Sequence, residues 1–248
     1  MESLDSSLFL WLLALIAVAA TLYSSVGQGG ASGYLAAMAL FGVSAIIMKP
    51  AALTMNIMVA GLVFVRLWRA GHFNAGLFWP FALGSIPLAF LGGALTLHER
   101  VYQYLVGAAL LVAAWRLLSS THEPPTREAP RWWVALPMGA GLGFVSGLTG
   151  VGGGIFLSPL LLSLRWANMR TTAAISAAFI LVNSVAALAG LLTAGIPLPG
   201  GLAWMMLAAL GGALVGSELA VRRLAPVRLR QLLGAVLAIA AIKMFITA

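Results

Sequence analysis

The sequence predicts an all-α integral membrane protein, an inverted repeat of two five-segment halves, on three observations. Of 248 residues, 62% are hydrophobic and only 8% charged, with a mean hydropathy of +1.03, well above what soluble globular domains carry. The apolar residues fall into ten runs, which a bilayer accepts as helices because a backbone in lipid must satisfy its own hydrogen bonds. Features of the first five runs return in the second five.

In the first half the runs cover roughly residues 8 to 23, 34 to 48, 51 to 65, 77 to 97 and 101 to 118. In the second they cover roughly 132 to 148, 155 to 164, 171 to 193, 201 to 221 and 229 to 247. Between the halves lies SSTHEPPTREAPR, Ser119 to Arg131, polar and proline-rich and the only long linker. The chain therefore divides into a first membrane repeat (1–118), a cytoplasmic linker (119–131) and a second, inverted repeat (132–248). Glu2 and Asp5 precede the first run and no Lys or Arg does, a poor match to a secretory signal with its positive leader, so the first run reads as a true segment.

The repetition is visible residue by residue. Gly27-Gln28-Gly29-Gly30-Ala31 matches Gly150-Val151-Gly152-Gly153-Gly154, and Ala70-Gly71-His72 matches Ala194-Gly195-Ile196. YLVGAALLVAAWR, ending at Arg116, matches QLLGAVLAIAAIK, ending at Lys243. Duplicated units of this kind build many transporters. With an odd number of segments per half, the second half enters from the opposite side. Charge supports this: with the N-terminus outside, the inner connections hold Arg66, Arg69, Arg116, Arg127, Arg131, Arg165, Arg170, Arg222, Arg223, Arg228 and Arg230. These are 11 of the 14 Lys and Arg, leaving Lys49, Arg100 and Lys243 outside. The excess of positive charge on inner loops places both termini outside the cytoplasm, in a cell inner membrane.

Several function classes fall away. Without a cysteine the chain has no disulfide, thiolate nucleophile or cysteine-ligated metal. His72, His98 and His122 sit at segment ends or in the linker and share no metal-ligand spacing. The net charge of +8 is dispersed between apolar runs rather than gathered into a basic stripe, which argues against a nucleic-acid partner. No nucleophile with a base stands in an apolar run, so the chain reads as no enzyme and calls for no cofactor or metal. Its expected partners are membrane lipid and a small anion, and the sequence specifies no oligomeric state.

The anion is inferred from two glycine-rich breaks, SSVGQGGASG (Ser24 to Gly33) and GLTGVGGG (Gly147 to Gly154). The runs flanking them are short: residues 155 to 164 make a helix of only about 15 Å, against a hydrocarbon core of ~30 Å. Segments one and two, and six and seven, are accordingly expected to be wholly or partly re-entrant, their breaks meeting near the midplane. Irregular backbone survives at that depth only where it lines a cavity or is buried in protein. The chain leaves each break into a helix, so two helix N-termini, with free N–H groups and positive dipole ends, point at the break. Gly27, Gly29, Gly30, Gly150, Gly152, Gly153 and Gly154 allow a ligand close to the backbone, and Ser24, Ser25, Gln28, Ser32 and Thr149 offer further donors. Gly139, Gly143 and Gly147, four residues apart, read instead as a ridge for helix packing.

Other polar residues support two readings. Thr54 and Asn56 in the third segment, and Ser176, Asn183 and Ser184 in the eighth, are either substrate contacts or interhelical hydrogen bonds. Lys49 and Arg170 are interfacial charges or guards of an anion path. Glu218, with Arg222 one turn away, is a paired structural carboxylate or a site of proton coupling. Trp11, Trp68, Trp79, Trp132, Trp133 and Trp166 fall near segment ends, as an aromatic belt requires.

The paired motifs VGQGGASG and GLTGVGGGIFLSPLL are each followed by a short apolar run, a basic residue and a helix bearing Thr or Ser (Lys49 to Thr54, Arg170 to Ser176). In this the chain resembles the sulfite exporter TauE/SafE family over nearly its whole length. Pro159 after the second glycine cluster makes that motif the more specific; the first departs, with Gln28 between glycines and Gly33-Tyr34 where a proline is expected. The resemblance implies a membrane transporter that exports a small sulfur-containing anion such as sulfite, sulfoacetate or another sulfonate. The alternatives are a proton-coupled anion uptake carrier and a non-transporting membrane assembly subunit.

Overall fold

A computed structural model describes residues 6–118, 128–222 and 227–247. The chain folds into α1 (Ser6–Ser25), α2 (Ala31–Leu40), α3 (Ala45–Arg69), α4 (Ala75–Ala94), α5 (Glu99–Leu118), α6 (Trp132–Thr149), α7 (Gly154–Ser163), α8 (Met169–Thr193), α9 (Leu202–Arg222) and α10 (Val227–Thr247). Most of the expected linker, residues 119–127, lies outside the described residues.

The helices start where local chemistry caps them. Asn74 accepts from the Leu77 amide at 3.1 Å to open α4, and Asn168 accepts from the Thr171 amide at 2.9 Å to open α8, each satisfying one orphan donor of the first turn. The border of α2 and α3 differs from expectation. The runs expected at 34 to 48 and 51 to 65 part at Lys49-Pro50, yet both residues lie inside α3, and the turn is made upstream by Phe41 to Ser44, where Gly42 has φ 69°. Nor are α1 and α6 short. At 20 and 18 residues both have the length to span a bilayer, whereas α2 and α7, ten residues each, are half-length. Among the described residues, five helices are long and apolar enough to cross: those at Ser7–Ser25, Ile46–Arg69, Ala75–Ala94, Trp132–Thr149 and Met169–Thr193.

Helix lengths repeat across the halves, ten residues for α2 and α7 and twenty-five for α3 and α8. A shift of 124 carries Ala45 to Arg69 onto Met169 to Thr193, and so carries Lys49 onto Ala173 and Asn56 onto Ile180. Lys49 and Arg170 are thus not counterparts; Arg170 corresponds to Ile46, and both are exposed.

The halves are interleaved by exchange of their fourth helices. α4 packs on α6 and α8, while α9 packs on α1 and α3. One core joins α1, α2, α3 and α9, with α5 and α10 added; the other joins α4, α6, α7 and α8. α3 packs on α8 and α5 on α10, so helices at the same place in the two halves meet each other. The glycine ridge works as expected: Gly139, Gly143 and Gly147 lie with no room for a Cβ against the carbonyls of Phe81, Ser85 and Ala89 on α4. Backbones at this spacing gain the close van der Waals contact that drives helix association in lipid. Outside the cores the surface is apolar, and Trp11, Trp68, Trp132 and Trp133 are exposed near helix ends. Trp166 instead leans on Phe81.

Candidate functional site

The two breaks meet at one place. A Cβ on Gly29 would stand 2.8 Å from Asn56 Oδ1 and 2.9 Å from Ile180 Cγ2; on Gly152 it would stand 2.8 Å from Asn56 Nδ2 and 2.8 Å from the same Ile180 methyl. Gly29 and Gly152 are counterparts, as are Asn56 and Ile180, so each glycine touches both members of the pair on α3 and α8. Any side chain in place of either glycine displaces this crossing. The flanking positions behave alike, with Gly27 against Ala173 and Gly150 against Lys49.

Each break ends in a glycine in the left-handed region, Gly30 with φ 98° and Gly153 with φ 78°, which serves as N-cap without any side-chain partner. These conformations cost an L-residue with a Cβ about 1 kcal/mol or more. The amides of Gly29 to Gly33, and of Gly152 to Ile155, find no carbonyl acceptor among the described residues. Two first turns therefore bring unpaired N–H groups and positive dipole ends to a shared crossing.

Several carbonyls nearby are taken up by donors. Tyr34 Oη donates to the Gly29 carbonyl at 2.7 Å, Tyr102 Oη to that of Thr149 at 3.2 Å, and Asn56 Nδ2 to that of Val151 at 3.4 Å. A bonded carbonyl turns its negative end toward its donor, which leaves the local field more favourable to an anion. The buried polar side-chain atoms without a partner also gather here. They are Ser24 Oγ, Asn56 Oδ1, Ser146 Oγ, Thr172 Oγ1 and both amide atoms of Asn183. Ser24 and Ser146 lie in the last turns before the breaks, and Ser146 Cβ would be 3.2 Å from a Cβ on Gly153. Thr172 precedes Ala173, while Asn183 stands one turn beyond Phe179 and Ile180 on α8. Each such group costs roughly 1–3 kcal/mol if nothing meets it, which makes the surroundings of the breaks the candidate site for a polar guest.

The expected site residues divide. Gly29, Gly30, Gly152, Gly153, Gly154, Asn56, Ser176 and Gln28 come together; Gln28 Nε2 reaches Ser158 Oγ at 3.4 Å, and Ser158 reaches Ser176 Oγ at 2.6 Å. Other hydroxyls are directed elsewhere. Ser25 donates to Leu22 O, Thr54 to Pro50 O and Thr149 to Val145 O, each within its own helix, while Ser32 donates to Tyr23 Oη at 2.6 Å. Lys49 is buried, and its ammonium caps the C-terminal end of α4 on the carbonyls of Gly92, Gly93 and Leu95 at 3.0, 3.0 and 3.2 Å, where a cation is favoured. It also borders a cavity of about 260 Å³ with Ser44, Thr96, Glu99, Tyr102 and Leu148. Arg170 is exposed at the start of α8. Glu218 is half-exposed near the end of α9 and pairs with Arg66 of α3 at 3.2 Å, while the Arg222 side chain lies outside the described residues.

Sequence reasoning missed Tyr34, Tyr102, Ser146, Ser158 and Ile180. Only Tyr34 left a local signal, four residues after Gly30. A Cβ there would stand 2.6 Å from the tyrosine oxygen, so a glycine is what admits the ring.

A helical surface clad in apolar side chains is that of a multi-pass membrane protein, and its family and relative make it a membrane transporter. More narrowly, residues 12–244 match the family described as sulfite exporter TauE/SafE, and the chain belongs to that family. It is similar to "Probable membrane transporter protein y4hK" of Sinorhizobium fredii (strain NBRC 101917 / NGR234), 38% identical over 232 residues that cover 92% of this chain and 94% of the relative. No solved structure matches.

Proposed function

We propose that the protein exports a small sulfur-containing anion, such as sulfite, sulfoacetate or another sulfonate, through the crossing of the two breaks. The observation that carries this reading is the convergence of two first turns with unpaired amides on Asn56 and Ile180, since helix N-termini are ready anion sites. The family supplies sulfur; the residues supply an anion. In this reading the crossing lies near the midplane of the inner membrane, the repeats are inverted, and both termini face away from the cytoplasm.

Two of the three basic residues that this topology leaves outside have structural duties that account for their position. Lys49 caps α4, and Lys243 donates to the carbonyl of Leu40, the last residue of α2, at 2.7 Å. Export also needs no coupling ion. A negative cell interior drives an anion outward by about 2.3 kcal/mol per charge per 100 mV.

The test is flux from proteoliposomes loaded with sulfite, or with a sulfonate, at clamped potential with and without a pH gradient. Saturable efflux that follows the potential and ignores pH is expected. Flux that follows the pH gradient overturns uniport in favour of proton-coupled carriage. Absence of flux with either anion leaves carriage of another anion, or a membrane assembly subunit, as the better reading.

A further inference from the structure

Resting on that anion reading, we infer that the ligand donates a hydrogen bond of its own: it is a hydroxyl-bearing, amino-bearing or protonated oxyanion rather than one that only accepts. The amide of Asn56 decides this. Its Nδ2 faces the Val151 carbonyl at 3.4 Å and Ser184 Oγ at 3.4 Å. A carbonyl can only accept, so the nitrogen must occupy that side and the orientation of the amide follows from its partner. Oδ1 is thereby turned toward Gly29, fully buried and without a donor.

Asn183 adds a second such group. It is 0% exposed, and both its Oδ1 and its Nδ2 lack partners, so it offers one open acceptor whichever way its amide is turned. The crossing thus presents backbone amides that donate and, at Asn56, a side-chain oxygen that accepts, with Asn183 one turn further along α8. A ligand whose oxygens all accept leaves Asn56 Oδ1 unmet and facing its lone pairs, whereas one that also carries an O–H or N–H satisfies both sets.

Two probes of nearly equal shape and charge separate the cases: isethionate, a hydroxyl-terminated sulfonate, and its methyl-terminated isostere propanesulfonate. Their affinities for the purified full-length protein are measured by calorimetry, in wild type and in Asn56→Leu. Tighter binding of isethionate by roughly tenfold or more is expected in wild type, with the ratio falling toward one in Asn56→Leu. Equal affinities in wild type overturn the inference while leaving the anion reading intact. An unchanged preference in a folded Asn56→Leu removes Asn56 from it. Binding of neither probe rejects the inference, and the sulfite flux measurement then decides the anion reading separately. If Asn56→Leu does not fold, the wild-type ratio alone decides between the two kinds of ligand.

Discussion

The two halves share helix lengths and glycine breaks but divide the side chains. Around the crossing the first repeat supplies Gln28, Lys49 and Asn56 where the second has Val151, Ala173 and Ile180. The second supplies Ser158, Ser176 and Asn183 where the first has Leu35, Ala52 and Val59. Almost every polar group therefore occurs in one copy only, while the glycines that shape the breaks occur in both. Duplicated features are those a symmetric backbone needs: left-handed turns, half-length helices and close helix contacts. On the anion reading, unique features are those an asymmetric guest needs. The carbonyls at the breaks are held in different ways as well, at Gly29 by Tyr34 of the adjoining helix and at Val151 by Asn56 of the other repeat.

The sharpest way to break this comparison is at a duplicated glycine. Gly153→Leu drives a side chain into Phe179, whose Cε1 would lie 2.8 Å from the new Cβ, so flux is expected to fall below detection while the protein remains inserted and monodisperse. Gly42→Ala is the control, with a similar φ of 69° but open space around the new Cβ. Its flux should stay within a few-fold of wild type, since the cost is confined to the backbone, about 1 kcal/mol.

Exchanging the unique pair sharpens it further. Asn56→Ile should lower flux by roughly tenfold to a hundredfold, the loss of one buried hydrogen-bonding group. Adding Ile180→Asn should restore part of that loss if the ligand sits between Asn56 and Ile180, where both border Gly29 and Gly152; a double variant no better than the single shows that the site belongs to one half.

A smaller effect follows at Tyr34. Tyr34→Phe frees the Gly29 carbonyl, so the KM for the anion should rise several-fold and thermal unfolding should reveal a loss of about 1–3 kcal/mol, while Tyr104→Phe, a half-exposed ring on α5, should do neither. Smallest of all is Glu218→Gln. The pair with Arg66 is partly exposed, and such pairs contribute about 0–1 kcal/mol, so stability should hardly move and the pH dependence of flux should not change.

Much of this architecture is legible in the amino-acid order. Hydropathy and glycine clusters locate both breaks and, apart from the border of α2 and α3, the helices named above, because bilayer insertion and left-handed turns leave compositional marks. What stays hidden depends on partners distant in sequence. Lys49 looks like a charge at the mouth of a path, but its partners are carbonyls 43 to 46 residues away. Pro50 looks like a stop, yet a membrane helix tolerates a proline where its neighbours satisfy the backbone group it frees, and Gly42 makes the real turn. The exchange of α4 and α9 between cores leaves no mark in hydropathy, since a helix is equally apolar whichever core it joins. Ser25, Thr54 and Thr149 illustrate a further limit: a hydroxyl in a helix often returns its proton to a carbonyl three or four residues back, and composition does not say when.

Transport in this scheme depends on both breaks forming one anion site beside Asn56. That site is probed most directly by a structure of the full chain soaked with selenite, the heavier analogue of sulfite, with the selenium located by its anomalous signal. A single peak is expected between the first turns of α2 and α7, within contact of Gly29, Gly152 and Asn56. A peak confined to the cavity beside Lys49 and Glu99, with nothing at the crossing, would contradict a shared site.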